Sequence, residues 1–247
     1  MFRILSKHVR YHPVSILKNA YTTEAYHFPK EINSLKVMGT IQGDVERRTN
    51  GAMELFLKTL ISSERYCIHR VIIANPTLSN MWRDQLEDNQ RIYVNGKLQT
   101  ENVYIEDKRY QNVSILATSL NRLDKHDLVS DIIPEDQMHR FDQNSIEMLA
   151  FIGAEVQNFV TCSGFSIRTH FSSQKGKPNE LTLSDYHKVI VPNDSHMLQT
   201  SRNLRKGDRV YLKGHIDYST TPHPDGKDYV SGHIIPKQLV KLTKFNT

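Results

Sequence analysis

No apolar run in this 247-residue chain approaches the roughly 20 residues that a helix needs to cross a bilayer, so no membrane association is expected. Cysteine is nearly absent. Cys67 and Cys162 stand alone, far apart, at neither a metal-ligand nor a redox spacing, which excludes a disulfide framework and a zinc cluster. Both are read as reduced thiols without a functional role. With 11 Gly and 9 Pro the chain is neither collagen-like nor low-complexity. It contains no Gly-x-x-x-x-Gly-Lys loop, no His-Glu-x-x-His and no Gly-x-Ser-x-Gly, and its 12 His are scattered. No enzyme is expected, and no cofactor or metal site.

Acidic residues are missing from the N-terminus up to Glu24, and that absence locates most of the net charge of +5. Residues 1–30 carry Arg3, Lys7, Arg10, Lys18 and Lys30 against one acid, a net of +4. Phe2, Ile4, Leu5, Val9, Ile16 and Leu17 interleave with these bases. The pattern is that of a mitochondrial transit peptide, with a basic disordered arm as the alternative, and it points to the mitochondrial matrix.

What the chain does contain is an internal repeat. Asn33 to Glu46 aligns without a gap with Asn144 to Gln157, fourteen residues in each. His69-Arg70-Val71-Ile72-Ile73 is answered by His187-Lys188-Val189-Ile190-Val191, and Arg91 to Leu98 by Arg209 to Ile216. From the His to the later Gly (Gly96, Gly214) the distance is 27 residues in both copies. The second copy is longer between its opening strand and its His, where Ser172–Ser184, with Lys175 and Lys177, reads as an extended polar hairpin loop.

Alternating apolar and β-branched runs predict five strands per copy, near 34–41, 52–60, 66–73, 91–98 and 109–123, then near 145–153, 164–171, 185–192, 208–217 and 228–242. Short helices are expected at about 77–87 and 195–204. Gly39, Gly43, Gly51 and Gly96 interrupt the first set, as the corners of a small coiled barrel require. Five strands with a helix between the third and fourth describe the OB-fold, whose face commonly binds single strands. The expected architecture is all-β: OB-fold 1 at 31–123, an acidic linker at 124–143 with a net charge of −4, and OB-fold 2 at 144–247.

These motifs resemble the bacterial and mitochondrial single-stranded DNA-binding proteins. The resemblance rests on the Asn33–Glu46 opening strand with Gly39, Asp44 and Glu46, on Ile68-His69-Arg70-Val71 and Tyr186-His187-Lys188-Val189, and on Arg205 to Tyr218, which is similar to the mitochondrial branch. It implies a protein that coats single strands during mitochondrial DNA replication, by stacking bases on aromatics and tracking phosphates with cations. It also implies a working unit of four OB-folds, hence a homodimer, with replication or nucleoid proteins as further partners. The site residues it points to in copy two are Tyr186, Lys188, Arg205, Lys206, Lys175, Lys177, Tyr218 and Arg168. In copy one they are Arg47, Arg48, Arg70 and Tyr104. Copy one departs from the pattern at Ile68, Ala74, Val103 and Asp88-Asn89, and copy two at Pro192 and Thr221. Copy one has net charge +1 and copy two +4, so most nucleic-acid contact is expected in copy two.

Other readings stay open. His69 and His187, repeated inside strands, suit structural hydrogen bonding. Tyr93 and Tyr211 suit barrel or interface packing, and Trp82, spaced with Leu78 and Leu86, suits helix packing. A degenerate paralogue that keeps the barrel for assembly in a nucleoid, RNA-processing complex or ribosome is the alternative function, and single-stranded RNA is the alternative ligand.

Overall fold

A computed structural model of the chain describes residues 31–105, 108–123, 141–172, 182–222 and 228–242. The expected leader, most of the linker, and Lys175 and Lys177 lie outside the described residues.

Strand period and burial agree. In β1 (Ile32–Ile41), Leu35, Val37, Gly39 and Ile41 face inward while Lys36 faces water. There follow β2 (Glu46–Arg47), β3 (Met53–Leu60), β4 (Tyr66–Ile73), α1 (Pro76–Trp82), β5 (Arg91–Ile105) and β6 (Lys108–Arg122). The second copy repeats the order with β7 (Gln143–Ile152), β8 (Gln157–Asn158), β9 (Cys162–Ser172), β10 (Thr182–Pro192), α2 (Leu198–Arg202), β11 (Arg209–Pro222) and β12 (Asp228–Leu242). β1, β3, β4, β6 and β5 close into one ring, and β7, β9, β10, β12 and β11 into another. In each ring one pair is parallel, β4 with β6 and β10 with β12. The fold is two five-stranded barrels, each with its helix between the third and fourth barrel strands. Among the described residues no helix is long and apolar enough to cross a membrane.

Two expectations change in detail. α1 ends at Trp82, not near 87, because a turn closed by Gln85 N–H to the Trp82 carbonyl carries the chain on to buried Leu86. A helix followed by a turn buries Leu78, Trp82 and Leu86 as well as the longer helix their spacing suggests. α2 covers five residues, flanked by buried Met197 and Leu204. At the end of the expected linker, Gln143 already opens β7, and Asp142 accepts hydrogen bonds from the Leu60 backbone N–H (2.7 Å) and Arg91 (2.5 Å).

The barrels share one core and one sheet. β1 pairs antiparallel with β7 from Ile32↔Leu149 to Met38↔Gln143, with Leu35 opposite Ile146. Leu35 and Ile146 are equivalent positions of the repeat, so an internal two-fold axis passes between them. Its details recur on both sides. Asn33 bonds the backbone carbonyl and N–H of Leu98, at 2.8 and 2.9 Å, and Asn144 does the same to Ile216, at 2.7 and 3.0 Å. Both Asn side chains serve a strand that bulges two to three residues earlier, at Asn95/Gly96 and Lys213/Gly214. Gly96 and Gly214 are fixed by space: a Cβ would lie 2.6 Å from the Leu116 carbonyl oxygen and 2.2 Å from that of Ile235.

Candidate nucleic-acid interface

The two motif histidines do not face solvent. His69 Nδ1 lies 2.9 Å from the Tyr218 hydroxyl of the other barrel, and His187 Nδ1 lies 2.8 Å from the Thr100 hydroxyl, its two-fold equivalent. Thr169 Oγ1 meets His187 Nε2 at 2.9 Å, whereas His69 Nε2 is buried with no partner among the described residues. Burial pushes both imidazoles down to about 3, so both are neutral. They are fastenings between barrels. Tyr218, a candidate stacking residue, spends its hydroxyl on this contact, and its ring meets His69 edge-on.

In copy one the candidate cations are engaged with acids. Glu54, almost fully buried at the start of β3, takes Arg70 Nε at 2.5 Å and Arg48 Nε at 2.8 Å. The hydrogen bond from Arg70, with Arg48 beside it, holds the Glu54 carboxyl below its usual range against the opposing effect of burial. Arg47 reaches the end of α1, bonding Asp84 (2.5 Å) and the Arg83 carbonyl (2.7 Å). Tyr104 lies in β5, but its side chain is outside the described residues.

Copy two is open at the same place. Where copy one has Glu54, opposite Ile72, copy two has Gly164, opposite Ile190; where copy one has Arg48, copy two has Phe159. The Phe159 ring lies over the glycine, 3.4 Å from where a Cβ would stand, and is 53% exposed; Val160 is 92% exposed. A groove of about 550 Å³ results, lined by Phe159, Gly164, Ser166, Lys188, Gln157 and, from the other barrel, Gln111. Lys188 is exposed opposite Ser166, and half-buried Tyr186 stands opposite Arg168 on the same face. The Tyr186 ring packs on Gly153, where a Cβ would be 2.9 Å away. Arg205 and Lys206 are exposed in the turn before β11, which Gly207 makes at φ 87° and Asp208 ties by accepting the Arg205 N–H at 2.7 Å.

The second barrel thus gathers an aromatic (Tyr186), cations (Arg168, Lys188) and a groove on its β9–β10 face, whereas Arg205 and Lys206 sit on a turn and Tyr218 in the inter-barrel contact. Phe159 and Gln111 were not singled out from the sequence. Phe159-Val160 was findable as an apolar pair in a hairpin turn that aligns with Arg48-Thr49. Gln111 was not, because only the fold brings β6 of one barrel to β10 of the other, where its amide reaches the Tyr186 carbonyl at 3.4 Å. Among the described residues no cluster of His, Cys, Asp and Glu could hold a metal ion. The Cys67 thiol is pushed up to about 12, chiefly by burial, and is unreactive.

No protein-family model and no curated protein matches the chain. Solved structures do. The wild-type single-stranded DNA binding protein from Thermus aquaticus superposes with a TM-score of 0.58 at 16% identity, over 88% of this chain and 96% of that one. A deletion mutant of the same protein gives 0.58 at 15% identity, over 88% and 97%. A Plasmodium falciparum single-stranded DNA-binding protein in complex with DNA covers 41% of this chain and 96% of its own, at 20% identity and a TM-score of 0.35. The paired-barrel fold is shared with the Thermus protein.

Proposed function

We propose that the protein binds and coats single-stranded DNA. The observation that carries this reading is the open β9–β10 face: Phe159 exposed above a groove, Tyr186 beside Arg168, and Lys188 between them. An exposed π-face with cations alongside stacks bases of any sequence while the cations meet phosphate. The fold likeness to the Thermus protein supports it. The acid-poor N-terminal stretch favours the mitochondrial matrix as the location of that activity, in replication or maintenance of its DNA, with residues 1–30 as the leader, and two chains would supply four barrels. Titration of fluorescent DNA and RNA oligonucleotides at two salt concentrations tests the proposal. Tyr186→Ala should weaken binding by about 1–3 kcal/mol at nearly constant salt slope. Lys188→Ala with Arg205→Ala should flatten that slope by about 0.7 for each phosphate no longer neutralised. Tight binding untouched by all three changes would refute the site.

A second reading has its own observation. Arg47, Arg48 and Arg70, the candidate binding cations of the first barrel, are held by Asp84 and Glu54, as suits a barrel kept for assembly. The same titration decides: a protein that binds neither DNA nor RNA is an assembly subunit.

A further inference from the structure

Resting on the single-strand reading above, we infer that the outer face of β3 and β4 in the first barrel is a second base-stacking surface, with Phe56 and Tyr66 as its rings. Position by position, this barrel has lost a ring, because Ile68 stands where the second barrel has Tyr186. The structure shows aromatics elsewhere on the same face. In β3, Phe56 and Lys58 point outward; in β4, Tyr66, Ile68 and Arg70 do. The register sets Phe56 opposite Arg70, Lys58 opposite Ile68, and Leu60 opposite Tyr66. Phe56 is 39% exposed, Tyr66 53% and Ile68 40%. In the second barrel the places of Phe56 and Tyr66 are held by Ser166 and Ser184. A strand repeats its face every second residue, so an aromatic two positions away still lies on the same surface.

The charge on this face suits a phosphate chain. Lys58 Nζ sits 4.8 Å from the Tyr66 ring centroid, which fixes a cation at a base platform. Arg48 and Arg70 share the carboxylate of Glu54, and Glu46 of β2 stands opposite Glu54 on the same side, so with Lys58 the face keeps an excess of one positive charge. Lys58 also lines a cleft of about 170 Å³ with Thr40, Gln42, Leu60, Asn89 and the buried Arg91–Asp142 ion pair. Four residues of strand separate Phe56 from Leu60, so the rings stand about 14 Å apart along the strand direction. A single strand crossing from Phe56 to Tyr66 would stack at both ends and pass Lys58 between.

The test uses the whole protein and fluorescein-labelled oligo-dT of graded length. Phe56→Ser with Tyr66→Ser introduces the residues that the second barrel carries at these places, so the strands remain well formed. The double variant should keep the affinity of the unmodified protein for the shortest oligonucleotides, cover a shorter length per chain at saturation, and lose roughly tenfold in affinity for long oligonucleotides for each ring removed. Photo-cross-linking of bromodeoxyuridine oligonucleotides to the unmodified protein should mark the tryptic peptides Thr49–Lys58 and Tyr66–Arg70. Unchanged length and affinity, or adducts confined to the second barrel, would overturn the inference and leave the single-strand reading standing. A fall in mass by light scattering with unchanged DNA binding would make the face a protein contact and overturn it equally. An unmodified protein that binds no single strand removes the functional reading and this inference together.

Discussion

At the scale of single residues, the inter-barrel contact is polar, buried and paired two by two. Tyr218 with His69 and Thr100 with His187 occupy equivalent places, yet only His187 has both ring nitrogens engaged. Tyr218→Phe would therefore leave the His69 ring without a hydrogen-bond partner among the described residues. It should cost about 1–3 kcal/mol in urea unfolding, more than Thr100→Val, which leaves His187 bonded to Thr169. Asp185 lies in the same contact, its Oδ2 accepting the Thr100 N–H at 2.9 Å, in the place that Cys67 fills on the other side. Burial raises this carboxyl to about 6, and the backbone hydrogen bonds from Thr100 and Tyr186 only moderate the effect. A carboxyl whose folded pKa is raised favours folding while protonated, so its contribution is lost as pH rises from about 4 through 6. Asp185→Asn keeps the acceptor oxygen and removes the charge. It should stabilise the protein at pH 7–8 by about 1–3 kcal/mol and leave stability at pH 4 nearly unchanged, as thermal scans across pH would show.

At the scale of elements, the same β-hairpin is closed in one barrel and open in the other. Glu54→Gln removes the acid that holds Arg48 and Arg70. It should cost about 1–3 kcal/mol of stability, and it should steepen the salt dependence of single-strand binding by about 0.7 for each arginine released. The crossing of β1 over β3 supplies another test: a Cβ on Gly39 would stand 2.2 Å from the Lys58 carbonyl oxygen, although the equivalent residue of the second barrel is Ala150. Gly39→Ala should destabilise by about 1–3 kcal/mol on a chemical denaturation curve. Ten of the twelve strands were legible as alternating runs, because barrel strands are half buried and period two is hard to disguise. The two-residue β2 and β8 carry no period. The helices came out long, since apolar spacing cannot tell a helix from a helix and a turn when both bury Leu86. The exposed rings of Phe56 and Tyr66 on β3 and β4 were not legible for a different reason. Matching Ile68 to Tyr186 position by position misses that Tyr66, one period away, occupies the same surface.

At the scale of the whole molecule, two barrels joined through β1 and β7 present two unlike faces. The second barrel has the higher charge and the groove at Phe159, while the first has exposed rings beside Lys58 and beside arginines engaged with Glu54. If two chains associate, light scattering on the protein without residues 1–30 should return twice the chain mass, and a monomer at micromolar concentration would exclude the four-barrel unit.

The pairing of Leu35 with Ile146 has a kinetic and concentration consequence. Two separate barrels joined by this seam would come apart on dilution, whereas two barrels on one chain meet at an effective concentration on the order of millimolar, whatever the amount of protein present. The shared core across the seam makes the halves unfold together. At concentrations below those at which two chains associate, the melting midpoint of the paired barrels should therefore not move over a dilution of about a hundredfold, and both barrel faces are complete as soon as one chain has folded.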